Sequence, residues 1–395
     1  MRTTSLDEIL MYPGFWVAIA AVLVVLLHPF LRRKVVSSGS SPITTDSDKI
    51  EPKSAIMSAP KGPFEIGQIR VTKILVHPIK SCRGTSPVEA RYTPLGLEND
   101  RKWCIIDAKN NKIITAREVP KMVLIEPRLR YDSSSIYGGE MVVTVPNGDT
   151  TVSFSVPVYP TPDVLRSWSI IEKCSLFEKS NIDGYVCRTL DTSQQSPSDV
   201  LSLYMGKAVH LVMKGPSVRH CDPTPLFPDL KASSVFQDGY PLLVASEESL
   251  DAVRTAIRNA ANGGSGGIGK IGGMDYDRWK DGNIEIERFR PNIVVKGAGI
   301  PFAEDAWQKI HIGAKELDES KSISLVSKCM RCLLPNVDVQ TGVRDAAVPY
   351  KVIMKIRSGV DALDLSKPCF GCNGVPRGEG VIRIGDLVTV DEWVA

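Results

Sequence analysis

Four of the nine cysteines in this chain of 395 residues fall into two pairs of equal internal spacing, Cys329-x2-Cys332 and Cys369-x2-Cys372, with residues 333–368 between them. Two such pairs are the usual halves of a tetrahedral zinc-thiolate site, yet the gap is long beside the roughly 15–20 residues common in such sites. A chain of this length buries ample core and needs no metal staple to fold. A dithiol redox pair caps a helix beside a βαβ unit, and here Leu333-Leu334-Pro335 follows instead. A third reading uses one sulfur only. Lys328 and Arg331 stand beside Cys329 and Cys332, and nearby positive charge favours the thiolate, the form that ligates metal. A single thiolate backed by cations suits a soft metal carried on an anionic cofactor. Cys104, Cys174 and Cys187 read as buried, small apolar residues.

The elements that must position these sulfurs are mostly β. From Phe64 onward, short runs such as KWCIID, MVVTVP and TVSFSV alternate with turn residues such as YGGE and PNGD. This is the pattern of an antiparallel barrel or sandwich. A loop near 191–198 divides residues 64–195 from a mixed second unit, 196–395. There YPLLVA reads as a buried strand, and Ser246-Glu247-Glu248 opens a helix with Leu250, Val253, Ile257 and Ala260 on one face. Asn262-Gly263-Gly264 stops that helix. The glycine-rich segment 262–282 lacks the Lys-Ser/Thr ending of a phosphate loop and reads as a flexible surface insertion.

Ahead of these units, residues 9–31 contain no Asp, Glu, Lys or Arg, which is long enough for one transmembrane helix across a bilayer. Asp7 and Glu8 precede this stretch and Arg32-Arg33-Lys34 follow it, so the folded part is expected on the cytosolic side. Tyr12, Phe15 and Trp16 would meet one interface. A cleaved signal peptide is the alternative, but no basic leading region or small-residue cleavage motif is present. Residues 32–63, rich in Ser, Thr, Pro and Lys, read as a disordered tether. A net charge of +3 with 24% charged residues gives no argument for nucleic acid.

Five stretches then carry a resemblance. Arg331-Cys332, Val337-Asp338 and Thr341-Gly342 resemble the R-C-x4-V-D-x2-T-G signature of the MOSC molybdenum-cofactor family. VHPIKSCRG (76–84), GLENDRKWCIID (96–107), ERFRPNIVV (287–295) and the closing IRIGDLVTV resemble further segments of that family, in order. The resemblance implies an N-terminal β-barrel domain followed by a MOSC β-barrel domain with helices, with the cofactor in the cleft between them. It makes Cys332 the molybdenum ligand. It places Lys80, Ser81, Arg101, Ser246, Arg290, Asn292 and Arg331 at the pterin cofactor (Mo-molybdopterin). Asp338 is implied as a loop-orienting or proton-transferring acid, and a turn-forming aspartate remains an equal reading of it.

Together with the N-terminal stretch, the resemblance is to the amidoxime-reducing members of the family. That implies reduction of N-hydroxylated compounds with electrons from NADH through a reductase and a cytochrome b5-type haem protein. It also implies anchoring in the mitochondrial outer membrane, with the endoplasmic reticulum as alternative. Two rivals stand beside it: a sulfur-handling enzyme related to the cofactor sulfurases, for which no pyridoxal-phosphate domain is expected here, and a non-catalytic cofactor carrier. Pro335-Asn336 replaces small hydroxyl residues common before V-D, and VDVQTG lacks a second acid, so substrate preference departs from the pattern. His220-Cys221, followed by Pro223 and Pro225, reads as a loop near the cofactor mouth. Phe370-Gly371 and Asn373 match a site-forming turn in which Cys369 and Cys372 are peripheral.

Overall fold

Two apolar patterns in the sequence become two kinds of strand. Gly139–Asn147 alternates, burying Met141, Val143 and Val145, because a strand sends every second side chain to the same face. It pairs antiparallel with Glu126–Tyr131 and Thr150–Pro157. Trp103–Asp107 instead buries four successive residues. Trp103 and Ile105 enter one apolar cluster while Cys104 and Ile106 enter another, so both faces of this strand are covered. It forms the edge of a four-stranded antiparallel sheet, followed by Val209–Lys214, Lys179–Val186 and Ile170–Leu176. Cys104, Cys174 and Cys187 are buried in these clusters.

This computed structural model describes residues 56–394 apart from 65, 178, 192, 264–267 and 314–320, with the backbone alone for 179–181. The expected membrane span 9–31 and most of the tether lie outside the described residues. Among the described residues, no helix is long and apolar enough to cross a membrane.

The chain is mainly β, with few helices, and a closed seven-stranded barrel dominates it. Its strands are β1 (Ile69–Ile74), β2 (Leu242–Ser246), β3 (Ile293–Lys296), β4 (Trp307–Ile312), β5 (Ser322–Met330), β6 (Cys369–Pro376) and β7 (Leu387–Trp393). The order around the barrel is β1, β3, β2, β6, β5, β4, β7 and back to β1. Only the β2–β3 pair is parallel, as expected where a crossover helix joins two strands. That helix, Glu247–Ala261, takes Ser246 as its N-cap and buries Leu250, Val253, Ile257 and Ala260 along the predicted face. β1 comes from the 64–195 segment and the other six strands from 196–395. A small sheet likewise pairs Glu89–Thr93 with Gly380–Arg383.

Two expectations of looseness are corrected. Ile268, Ile271, Met274 and Trp279 of the glycine-rich segment are buried in the cluster around the helix Glu247–Ala261, and the Trp279 indole donates to Asp345 at 2.9 Å. Glycine content hid four apolar anchors. The described end of the tether is also held. The Met57 N–H donates to the Ile356 carbonyl at 2.7 Å, and Arg357 Nη1 donates to the Met57 carbonyl at 2.6 Å. Gly62 lies so close to the Trp393 ring that an added Cβ would sit 2.2 Å from it, and Phe64 packs edge-on against the same ring at 4.8 Å.

Candidate functional site

The segment that follows β1 and the turn before Trp103 are stitched together. Lys80 N–H donates to the Trp103 carbonyl at 2.8 Å, Trp103 N–H to Pro78, and Arg101 N–H to His77 at 2.7 Å. The buried Asp100 carboxylate accepts from the His77 N–H at 2.8 Å and from Arg101 Nη1 at 2.7 and 2.6 Å. Burial alone would raise its pKa, but the Arg101 guanidinium and the His77 hydrogen bonds hold it at about 2. Arg101 Nη2 reaches on to the Arg290 carbonyl at 3.0 Å. Asn292 then ties three segments, donating to the Leu75 carbonyl at 3.2 Å and accepting from the Leu243 N–H at 3.1 Å.

Backbone strain gathers here. Ser81, Arg101 and Arg290 all have positive φ, at 68°, 52° and 56°. Side chains other than glycine adopt that region rarely, and such residues concentrate where function fixes them. All three line one cavity of about 330 Å³.

The opposite wall comes from the end of β5. Lys328, Cys329, Met330, Arg331 and Cys332 line the cavity, with Asp238, Tyr240 and Asp361 at other points. Five cations (Lys80, Arg101, Arg290, Lys328, Arg331) thus face two acids (Asp238, Asp361) and two thiols. Lys80 donates to the Phe236 carbonyl at 2.7 Å and pairs with Asp238. Burial lowers its pKa against the pull of that acid. Burial, then Arg101, brings the Arg290 guanidinium down to about 9. Arg290 Nη1 donates to the Cys82 carbonyl at 2.8 Å. Arg290 Nη2 and Arg331 Nε are buried and have no hydrogen-bond partner among the described residues. Such groups are expensive to leave unsatisfied, and an anion seated in the cavity would satisfy them.

The two pairs of cysteines do not act alike. Arg331 donates Nη1 to Cys329 Sγ at 3.0 Å, not to the cysteine beside it in sequence, and Nη2 to the Phe289 carbonyl at 2.7 Å. Burial pushes the Cys329 thiol up despite Arg331. Cys332 is partly exposed on the cavity wall. Cys369 is buried, its pKa pushed up to about 12 by burial and then Asp361. Cys372 donates to the Glu304 carbonyl at 3.2 Å. Among the described residues, no group of three or more His, Cys, Asp and Glu side chains is placed to hold a metal.

The cavity therefore gathers Lys80, Ser81, Arg101, Arg290, Asn292, Arg331 and Cys332. It does not gather Asp338 or Ser246. Asp338 Oδ1 accepts from the N–H groups of Gln340 and Thr341 at 2.9 and 3.0 Å. Its Oδ2 accepts from Arg288 at 2.5 Å and Arg278 at 3.3 Å. That is a turn held from both sides, next to the loop bearing Cys332. Residues with no sequence signal complete the wall, Asp238 and Asp361 above all. Each sits in a loop without periodicity, and only the ion pair with Lys80 reveals Asp238. His220 lies in a short strand against Ser233, while neighbouring Arg219 donates to the carbonyls of Val235, Gln237 and Asp238 at 2.6–2.9 Å. This fixes the loop that carries Asp238.

Ser246 is fully buried and donates to Glu304 Oε2 at 2.8 Å, beside a Ser249 hydroxyl that reaches the same carboxyl. Burial, then the neighbouring Asp305, raises the Glu304 pKa from 4.5 to about 7. A carboxyl whose pKa is higher folded than unfolded contributes stability that is complete below its unfolded pKa. That contribution is lost as pH rises through the folded value. Glu304→Gln keeps the neutral form at all pH. Denaturant unfolding at pH 5 to 8 is expected to show the wild type losing about 3 kcal/mol relative to this variant as pH rises. Parallel profiles for the two proteins would disprove the assignment.

Comparison with known proteins agrees with this architecture. The MOSC N-terminal beta barrel domain matches residues 68–183 and the MOSC domain matches residues 232–389. The chain belongs to the MOSC-domain family. Its relatives include mitochondrial amidoxime-reducing component 1 of Mus musculus, 26% identical over 327 residues, which are 80% of this chain and 81% of that protein. Mitochondrial amidoxime reducing component 2 of Homo sapiens is 27% identical over 331 residues, 80% of this chain and 82% of that protein. A molybdenum cofactor sulfurase of Danio rerio is 26% identical over 333 residues, which are 81% of this chain but 34% of the sulfurase.

Proposed function

We propose that this chain is a molybdenum-cofactor-dependent reductase that converts N-hydroxylated compounds, such as amidoximes and hydroxylamines, to the parent nitrogen bases. One observation carries the reading. The cavity gathers five cations and two thiols, and two of those cations, Arg290 and Arg331, each keep a buried guanidinium nitrogen that lacks an acceptor among the described residues. That donor set fits an anionic cofactor bearing phosphate and sulfur. The relatives named for amidoxime reduction support the choice among MOSC activities, since they match over four-fifths of both chains, whereas the sulfurase matches over 34% of its own length.

When bound, the cofactor would supply a metal that exchanges two electrons with the substrate. Cys332 would complete its sulfur coordination. Arg290 and Arg331 would donate Nη2 and Nε to the cofactor's anionic groups, with Lys80, Arg101 and Ser81 beside them and Asn292 bracing the wall. Asp338 holds the turn behind Cys332. The net reaction consumes two electrons and two protons and yields the nitrogen base and water. NADH supplies the electrons through its reductase and a cytochrome b5-type haem protein. The uncharged stretch 9–31 with its basic flank supports membrane anchoring at the mitochondrial outer membrane, with the folded part toward the cytosol.

The test is to make the full chain in a host that synthesises the pterin cofactor, then measure metal content and reduction of benzamidoxime with NADH, reductase and cytochrome b5. Near-stoichiometric molybdenum with benzamidine formed is the expected result. Molybdenum without turnover would make the chain a cofactor carrier. Zinc in its place would overturn the reading.

A further inference from the structure

A second cavity, of about 270 Å³, adjoins the first and shares Asp238, Gly239 and Tyr240 with it. Phe177 and Leu176 also line it. Phe177 lies at the turn between Ile170–Leu176 and Lys179–Val186, is about half exposed, and holds a left-handed backbone at φ 55°. An exposed aromatic in that conformation needs a cause. Two cations hold its ring: the Arg117 guanidinium at 4.5 Å and Lys80 Nζ at 6.0 Å from the centroid. Lys80 also lines the first cavity, so the ring stands beside the candidate cofactor site. Tyr240 faces the same space, and its hydroxyl donates to the Asp222 carbonyl at 3.0 Å. Burial pushes that phenol up to about 12, so it stays neutral. Arg219, through its three carbonyl contacts, fixes the loop between the two cavities.

We propose that this second cavity is the substrate vestibule and that Phe177 and Tyr240 select N-hydroxylated compounds carrying a planar aromatic ring. The ring enters between two aromatic faces while the N–O group points across Asp238 and Gly239 toward the first cavity. Aliphatic amidoximes lack a face to offer and gain little from this wall. The proposal rests on the reductase reading for its reaction and on the second cavity alone for its selectivity.

Two measurements separate the two. With a small-molecule reductant in place of the haem protein, Phe177→Ala is expected to raise KM for benzamidoxime about 3- to 10-fold, while KM for acetamidoxime moves less than about 2-fold. Phe177→Tyr should restore the difference. Calorimetric titration of benzamidoxime into the holoprotein should show the same 3- to 10-fold weakening in Phe177→Ala, with or without turnover. Equal shifts for both amidoximes, or unchanged benzamidoxime affinity, would overturn the vestibule. So would a Phe177→Ala variant that behaves as wild type in both measurements and shows only a raised KM for the haem protein when that protein supplies the electrons, since Phe177 would then be a docking contact. A wild type that binds benzamidoxime through Phe177 yet never reduces it would refute the reductase reading and leave the vestibule standing.

Discussion

Cys332→Ala is expected to lower benzamidoxime turnover by more than about 100-fold and to lose or reshape its molybdenum, while the fold survives. The thiol is partly exposed on the cavity wall, so its removal leaves no large void. Groups that merely stand behind a metal ligand cost 10–100-fold when removed, and the proposed ligand itself should cost more. The neighbouring sulfurs give the control. Cys329 already receives the Arg331 guanidinium and is expected to tolerate alanine with a smaller loss. Cys369 is buried at the start of β6, opposite Met330 of β5, and its alanine variant should keep its metal. Elemental analysis and X-ray absorption at the molybdenum edge would read all three. Metal loss in Cys329→Ala instead would move the ligand three residues back along the chain, onto β5.

Arg357→Leu is expected to destabilise the protein by about 3–5 kcal/mol, the range for breaking a buried ion pair from one side. The Arg357 and Asp305 side chains are 0% and 1% exposed and pair directly. The same guanidinium donates to the Met57 carbonyl at 2.6 Å and the Cys369 carbonyl at 3.3 Å, and its face covers the Phe302 ring at 4.0 Å. Leucine would strand a carboxyl that burial already pushes toward its neutral form, and would orphan two carbonyls. Lysine should recover only part, since an ammonium cannot reproduce the planar fork. Removing Asp305 as well, as Asp305→Leu, should return some of the loss. Urea unfolding would measure each. A single-variant loss below about 1 kcal/mol would mean the pair carries little of the fold.

Much of the barrel was legible because its strands are either alternating or continuously apolar. The helix after Ser246 was legible because Leu250, Val253, Ile257 and Ala260 keep one face. The basic and polar residues of the cavity and Cys332 were found through motif order, not from local pattern, and seven of these residues line one space. What local reading missed was long-range. Asp238 matters through Lys80, 158 positions away, and no window of sequence holds both. Arg331 was read as a cation beside both Cys329 and Cys332, and only the structure shows its guanidinium on Cys329. Ser246 was weighed as both cap and cofactor contact; Glu304, 58 positions on, occupies its hydroxyl. The glycine-rich segment hid Trp279 because composition averages over single anchors.

The pairing of β1 with β7 has a consequence for synthesis. Arg70 meets Leu387 and Ile69 meets Val388, so one edge of the barrel's first strand must wait for residues 387 and 388 to leave the ribosome. Sheets within residues 103–214 can close long before that, and β1 can pair with β3 once residues 293–296 are made, but its other edge stays open until β7 follows. Contacts of such sequence separation form slowly, and unpaired strand edges invite association. A ribosome stalled before residue 387 would therefore release a chain with its early sheets formed and its barrel unsealed, a ready substrate for chaperones.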